Sequence, residues 1–272
     1  MAHLTSLRVK PKQSLGQNFL IDDNIARKIV RALNLSEHDV VVEIGPGKGA
    51  LTKHLIQAAG HLIAVEVDGR VVHNLQETFQ SSTVAILHQD FLETDLAKWQ
   101  HQHGQKLHIV GNIPYHLTSP ILFKVFEDRS SIDDLTIMIQ REVAQRITAV
   151  PETKEYGILS VFSQFYGTPK MLFTVSPHCF YPKPKVTSAV VRLRMREQLL
   201  HEVNEQTFAT VVKTTFGKRR KTLRKSLLYL PYDEATVSMI LKKIDFPLEK
   251  RPEQLTVEQF ANLSEQIEQV IA

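Results

Sequence analysis

The sequence predicts an α/β chain: a mostly parallel β-sheet with helices on both faces, followed by a small all-helical domain. Three observations predict it. From residue 23 to about 195, strand-like runs alternate with helix-like stretches, the pattern of parallel strands joined through helices. After about residue 197 strand signals stop and helical periodicity dominates. A glycine cluster and several acids stand at the ends of successive predicted strands.

The bulk numbers fit this division. A chain of 272 residues is long enough for one large domain and a small one, and 43% hydrophobic residues can supply the core. No stretch of 18 apolar residues exists, so no membrane-spanning helix is expected. The opening MAHLTSLRVKPKQ lacks the apolar segment of a secretory signal. One cysteine, Cys179, rules out an internal disulfide and fits a reducing cytoplasm; it is expected to be a small buried thiol.

The elements follow in order. DNIARKIVRAL places Ile25, Ile29, Val30 and Leu33 at helical spacing, and Asp22 or Asp23 can cap it. VVVEIG (40–45) is a β-branched run that reads as a buried parallel strand. GALTKHLIQAAG (49–60) predicts a helix closed by glycine. HLIAVEVD (61–68) is the second strand, VVHNLQETF a helix, TVAILHQD (83–90) the third strand and KLHIVGN (106–112) the fourth. SPILFKVFED opens with Ser-Pro, a favourable helix entry. DLTIMIQ (134–140) is the fifth strand, GILSVFSQFYG a helix, and KMLFTVS with SAVVRLRM a final strand pair. FATVVKTTF, KTLRKSLLYL, ATVSMILKKI and VEQFANLSEQIEQVI predict four closing helices. His101 and His103 fall in a polar loop and are expected in solvent.

Glu43-Ile44-Gly45-Pro46-Gly47-Lys48-Gly49 lies between the first strand and its helix. Glycines there allow a tight turn and close backbone approach to a ligand. The third glycine comes two residues after the second, not three as in a dinucleotide fingerprint. Glu43, just before the loop, suits a ligand with a cationic group better than a pyrophosphate. The second strand ends at Glu66, where an acid can accept both ribose hydroxyls of a nucleoside. The third ends at Gln89-Asp90, and Asp90 can accept a hydrogen bond from an adenine amine. Singly, each acid could be a helix cap or an exposed turn residue. Jointly, they fit a nucleoside with a positively charged tail, and S-adenosylmethionine is that molecule.

The fourth strand ends at Asn112, so Asn112-Ile113-Pro114-Tyr115 sits on the same rim. Asn112 offers a side-chain carbonyl. Pro114 has no N–H and keeps Ile113 extended, which can leave a main-chain carbonyl pointing outward. Tyr115 offers a flat ring. Two acceptors and a stacking face form a pocket for a planar ring bearing an exocyclic NH2. Accepting both amine hydrogens pulls the nitrogen towards sp3 geometry and frees its lone pair for in-line attack on a sulfonium methyl; no metal is required. The alternative is a strand-terminating turn with a core tyrosine. A second aromatic site lies in PHCFYPKPKV (177–186), where Phe180 and Tyr181 stand among three prolines. One ring could close over the opposite face of the base, and Phe180 could equally be a core plug.

Charge is unevenly placed. Residues 213–225, KTTFGKRRKTLRK, carry seven Lys/Arg and no acid, in a chain of net charge +4. Such a stretch suggests a polyanion partner, contacted by Lys218, Arg219, Arg220, Lys221, Arg224 and Lys225. A solvated helix face is the alternative.

KQSLGQNFL (12–20), EIGPGKGALT (43–52), VEVD (65–68), QDFL (89–92), GNIPY (111–115), FYPKPKVTSAVVRL (180–193) and FGKRRKTLRKSL (216–227) occur in this order. Together they resemble the adenine-N6 rRNA dimethyltransferase family, and the LGQNFL and RRKTLRKSL wording resembles its small-subunit branch. The likeness covers nearly the whole chain. It implies a Rossmann-like class I methyltransferase domain over 1–197, which binds S-adenosylmethionine, and a helical RNA-docking domain over 198–272. It implies Gln17, Asn18, Leu20, Gly45, Glu66, Asp90 and Asn112 at the cofactor; the loop reading adds Glu43 and Gly47. It implies Asn112, Pro114, Tyr115 and Phe180 at the target adenine, and a mobile arm from His3 to Lys12. The implied reaction places two methyl groups on N6 of each of two adjacent adenines in a small-subunit rRNA loop whose bases are unstacked. The implied partner is an assembling small ribosomal subunit, met in the cytoplasm by a monomer. Two rivals stand beside this reading: a large-subunit rRNA methyltransferase, and a nucleic-acid-binding assembly or transcription factor with secondary catalysis.

Overall fold

The computed structural model describes residues 16–272; the segment from His3 to Lys12, expected as an arm, lies outside them. In chain order the elements are β1 (Phe19–Leu20), α1 (Asp23–Leu33), β2 (Val40–Ile44), α2 (Thr52–Ala58), β3 (His61–Glu66), α3 (Gly69–Thr78), β4 (Val84–His88), α4 (Leu96–His103), β5 (Leu107–Asn112), α5 (Thr118–Glu127), β6 (Ile132–Gln140), α6 (Arg141–Ile147), α7 (Ile158–Tyr166), β7 (Gly167–Val175), β8 (Phe180–Tyr181), β9 (Ser188–Met195), α8 (Glu205–Gly217), α9 (Leu223–Leu227), α10 (Glu234–Lys243) and α11 (Val257–Ile271). They divide into two compact units, Met1–Ala144 with Pro169–Met195, and Gln145–Thr168 with Arg196–Ala272.

The first unit is built on a seven-stranded sheet of order β4-β3-β2-β5-β6-β9-β7. Strands β4, β3, β2, β5 and β6 are parallel, and β9 joins β6 antiparallel. All five residues of β2 are buried, which is why a continuous Val-Val-Val run serves there and an alternating one would not. Val41, Leu62 and Val110 pack with Ala26, Ile29, Leu33 and Leu55 of α1 and α2. α3 extends that cover over Ala64 and Ile86. After β4 the chain returns to the other side of β2, and right-handed crossovers then put α5 on the opposite face. This is the mostly parallel sheet with helices on both faces that the sequence predicts.

At the N-terminal edge of the sheet, Arg192 of β9 joins three elements. Its guanidinium pairs with the wholly buried Asp134 through Nε at 3.0 Å and also through Nη2. It donates to the carbonyls of Ala32 and Leu33 at 3.1 and 3.3 Å, closing the C-terminus of α1. His108 Nδ1 lies 3.3 Å from Asp134, with Asp133 and Asp39 each 3.8 Å from the ring.

Three helices depart from the sequence expectation, among them α6, which directly follows β6 and was not expected. α4 was not expected, because Leu96 is its one buried residue and apolar periodicity is weak; its Asp95 N-cap and left-handed Gly104 were the legible signals. It carries His103 against His61 with ring centres 4.9 Å apart, so His103 is half-buried and not in a solvated loop. KTLRKSLLYL, expected as a helix, forms only the five-residue α9.

The second unit contains Gln145–Thr168, a segment expected with the sheet. Aromatic packing accounts for its place. Phe165 stacks on Phe208 of α8 at 4.1 Å, and Phe162 meets the same ring edge-on. The buried Tyr156 donates its hydroxyl to the Leu255 carbonyl at 2.9 Å.

His108 generates a pH prediction. Burial opposes the charged ring, but the Asp134 hydrogen bond and the charges of Asp134, Asp133 and Asp39 outweigh it and hold the imidazole above its ordinary value. Folding therefore takes up a proton here. The stability gained is complete below about pH 6.5, the ordinary value, and is lost as pH rises through the raised one. Urea unfolding of wild type and His108→Asn across pH 5.5–8.5 should show the wild-type advantage shrinking as pH rises; an advantage constant with pH would refute the pairing.

Candidate active site

Parallel strands that wind outward in two directions from β2 and β5 leave a crevice at their C-terminal ends. Here it is a cavity of about 840 Å³ counting its open mouth. Residues from the ends of four strands reach it: Gly45 after β2, Glu66 of β3, Asp90 after β4 and Asn112 of β5. Gln17 and Asn18, just before β1, form part of its wall. Tyr115 and Pro114 form another.

The turn after β2 is shaped for close approach. Gly45 and Gly47 have φ of +63° and +54°. A Cβ on Gly47 would lie 2.8 Å from the Phe19 ring, so both its φ and the packing require glycine. A Cβ on Gly45 would meet nothing within 4 Å, so that position opens onto free space.

Glu66 is 5% exposed and fixes this turn from below. Its Oε2 accepts from Gly47 N–H at 3.2 Å and its Oε1 from Asp68 N–H at 3.0 Å. A carboxylate has about four acceptor sites, so these two bonds do not exhaust its capacity. Burial holds the Glu66 carboxyl above its ordinary value. Asp90 is exposed, and one of its oxygens caps Leu92 N–H at 2.9 Å. Glu43 lies elsewhere: it is 1% exposed and accepts from the Thr52 hydroxyl at 2.7 Å. With Leu20, Gly45, Gly47 and Asn112 it lines a smaller, adjoining space of about 300 Å³.

The Asn112 side chain is held in one orientation. Its NH2 donates to the Asn18 carbonyl at 2.8 Å, across 94 positions of sequence, which leaves the amide oxygen as acceptor. Ile113 N–H continues the ladder to the Met138 carbonyl at 3.1 Å. The Pro114 carbonyl accepts from Leu117 N–H at 2.9 Å and is thereby committed within the turn. The Tyr115 hydroxyl lies 3.0 Å from the buried Ser188 hydroxyl of β9, which sets the plane of the ring. Tyr115 is therefore on the cavity wall and not in the core.

Phe180, expected at the target adenine, faces inward in this structure. It is 4% exposed and packs with Leu20, Met138 and Val190, because β8 pairs antiparallel with β1 in the register Leu20↔Phe180. It does not line the cavity; the core-plug alternative describes its position, and its neighbour Tyr181 is 59% exposed. The apolar wall of the cavity, including Phe19, Val67, Phe91 and Leu117, was missed. Such residues at strand ends are indistinguishable from core in a sequence; the one signal was Val67 beyond the end of β3, and it is 47% exposed.

The basic residues of the second unit divide into two sets. Arg219 pairs with Glu253 at 3.2 Å and donates to the Thr153 carbonyl at 3.2 Å. Arg224 lies 3.5 Å from Glu249. Lys218 and Lys221 instead approach the Tyr229 ring, at 4.2 and 5.0 Å from its centre. Arg220 and Lys225 are exposed.

A doubly wound sheet closed by an antiparallel strand, with a glycine turn and polar strand ends facing one crevice, defines a class I methyltransferase fold. The family model for ribosomal RNA adenine dimethylase matches residues 8–269, and the chain belongs to that family. It is 41% identical over 258 residues to the ribosomal RNA small subunit methyltransferase A of Francisella tularensis subsp. tularensis (strain WY96-3418), covering 94% of this chain and 97% of that one. It is 42% identical over 262 residues to the protein of the same name from Shouchella clausii (strain KSM-K16), covering 93% and 88%. Among solved structures, a dimethyladenosine transferase from Plasmodium falciparum shares the fold with a TM-score of 0.76 at 24% identity, over 90% of this chain and 95% of that one. The 23S rRNA methyltransferase ErmE gives 0.68 at 27% identity, over 92% and 100%.

The buried Glu43 makes the site sensitive to pH. Burial pushes its carboxyl up to about 8; the Thr52 hydrogen bond opposes this and the Glu66 charge adds to it. Folding therefore takes up a proton between the ordinary value of 4.5 and about 8, and the associated stability is lost as pH rises through that range. Relative to Glu43→Gln, wild-type stability should fall by up to about 1.4 kcal/mol per pH unit. Denaturant melts of both proteins between pH 5 and 8.5 check this; parallel curves would show that Glu43 stays ionised.

Proposed function

We propose that this chain uses S-adenosylmethionine to dimethylate N6 of two adjacent adenines in a loop of small-subunit rRNA. One observation carries the reading: the fixed Asn112 amide presents an oxygen acceptor beside the Tyr115 ring at the rim of the crevice. The crevice also fits the cofactor. Open space at Gly45, a buried carboxylate with acceptor sites to spare at Glu66, and Asp90 on the rim suit a nucleoside with an amino-acid tail. Glu66 would hold the ribose hydroxyls, Asp90 the adenine amine, and Gln17, Asn18, Gly45 and Gly47 the remainder. Glu43 and Leu20 would support the turn from the adjoining space. When bound, S-adenosylmethionine supplies an electrophilic methyl group on a sulfonium.

The chain's own residues would activate the acceptor. A base amine is a weak nucleophile because its lone pair is delocalised into the ring. Asn112 Oδ1 would accept one amine hydrogen and the Ile113 carbonyl the other, localising the lone pair on nitrogen. Pro114 would keep Ile113 extended and so turn that carbonyl outward. Tyr115 would stack on the base, which must first leave its own stack. These contacts strengthen as positive charge builds on nitrogen, so they act on the rate more than on binding. The sheet unit would carry the catalysis and the helical unit the RNA docking. The proposed setting is the cytoplasm, with a monomer acting on an assembling small subunit.

Incubating the chain with labelled S-adenosylmethionine and each purified ribosomal subunit tests the assignment. Label recovered as dimethyladenine in the small subunit supports it. Label in the large subunit, or tight small-subunit binding without transfer, would select one of the two rivals. Within the site, Asn112→Ala should slow single turnover by ~100- to 1000-fold, the scale seen on removing one donor to a developing charge. Tyr115→Phe should be mild and Tyr115→Ala severe, since a stacked base is worth about 1–3 kcal/mol. Wild-type turnover in Asn112→Ala would eliminate the amine-acceptor role.

A further inference from the structure

We propose that Tyr229, flanked by Lys218 and Lys221, is a stacking site for one unpaired RNA nucleotide, and that this tip rather than the neighbouring arginines anchors the substrate RNA. The proposal rests on the RNA substrate argued above and names the residues that hold it.

Leu228 and Tyr229 directly follow α9, and they are 58% and 50% exposed. An adjacent pair of large exposed apolar side chains just beyond a basic stretch is a feature that marks contact surfaces. The ring is held in place by cations. Lys218 Nζ is 4.2 Å from its centre, and Lys221 Nζ is 5.0 Å from the centre and 3.0 Å from the phenol oxygen. Both ammoniums are thus gathered at the ring and carry no carboxylate partner among the described residues. The arginines of the stretch are committed differently. Arg219 is taken by Glu253 and the Thr153 carbonyl, and Arg224 faces Glu249.

Chemistry selects the ligand. A half-exposed aromatic ring can stack a base once the flexible lysine heads swing from the ring to the phosphates, and every base has a π-face. Two cations beside it suit the phosphates on either side of that base. A duplex keeps its bases stacked and offers nothing to the ring. An acidic peptide would use the lysines and leave the ring idle. An unpaired nucleotide uses all three groups. Arg220 and Lys225, both exposed, extend positive charge along the same stretch for the continuing strand.

The test is a salt series of binding to purified small subunits, with full-length wild type, Tyr229→Phe, Tyr229→Ala and the double variant Lys218→Ala/Lys221→Ala. Tyr229→Phe should bind as wild type. Tyr229→Ala should bind about 10- to 100-fold more weakly with an unchanged salt slope, because stacking releases no ions. The lysine pair should lower the slope of log affinity against log salt by about 0.7 for each single-strand phosphate deprived of its ammonium. Unchanged affinity for S-adenosylmethionine and an unchanged melting temperature would show that each variant is folded. Wild-type binding by Tyr229→Ala overturns the proposal. So does an equal loss in Tyr229→Phe, which would assign the effect to the hydroxyl and its bond to Lys221. Competition by polyglutamate that Tyr229→Ala does not alter, with none by unpaired oligoribonucleotide, would assign the surface to an acidic protein. Failure of wild type to bind the small subunit overturns the substrate itself, and is distinguishable from failure of Tyr229 alone.

Discussion

A side-chain carbon at position 111 would lie 2.7 Å from the Ile44 carbonyl oxygen. β2 and β5 are hydrogen-bonded neighbours in the register Ile44↔Gly111, and at that point only glycine leaves room. The rest of the site depends on this approach. β2 and β5 are the strands from which the sheet winds in opposite directions, so their shared end is where no connection covers the strand tips. Immediately beyond Gly111 the chain delivers Asn112, and immediately beyond Ile44 it delivers Gly45. The two halves of the crevice thus meet across one tight backbone contact.

A second constraint operates from outside the main sheet. β1 and β8 form their own short antiparallel pair, which seats Phe180 in the core and sets the segment before β1 against the crevice. The Asn18 carbonyl in that segment takes the Asn112 NH2. An amide has two chemically opposite ends, and this bond decides which end faces a ligand. The Ser188 hydroxyl of β9 anchors the Tyr115 hydroxyl. These two polar groups of the rim are oriented by partners about 70 to 90 positions away in sequence, one just before β1 and one in β9.

The buried acids show how one unit combines stability with a binding site. Glu66 uses two acceptor positions on the backbone of its own surroundings, and Glu43 uses Thr52. Neither is a bare charge in the interior; each is hydrogen-bonded, as burial of a carboxyl demands. At the opposite edge of the sheet, Asp134 pairs through Oδ2 with Arg192, which also closes α1. Carboxylates therefore stand at both ends of the strands, at the crevice on one side and in packing on the other.

Much of this was legible in the sequence. β2 could be read from Val-Val-Val because a strand buried on both faces must be apolar throughout, and the rim residues Glu66, Asp90 and Asn112 could be read because they interrupt such runs at their ends. The glycines of the turn announced a backbone conformation that other residues resist. What could not be read depends on partners distant in the chain. Phe180 is equally plausible as lid or plug until the pairing of β8 with β1 sends it inward. Arg219 and Lys218 are interchangeable as charges in a basic stretch until Glu253 takes one and Tyr229 the other. Gln145–Thr168 joins the helical unit through the stack of Phe165 on Phe208, a contact no local pattern encodes. Local sequence determines what each segment can form, through periodicity and backbone freedom. Tertiary structure decides which side of a residue is used, because that depends on which distant donor, acceptor or ring arrives beside it.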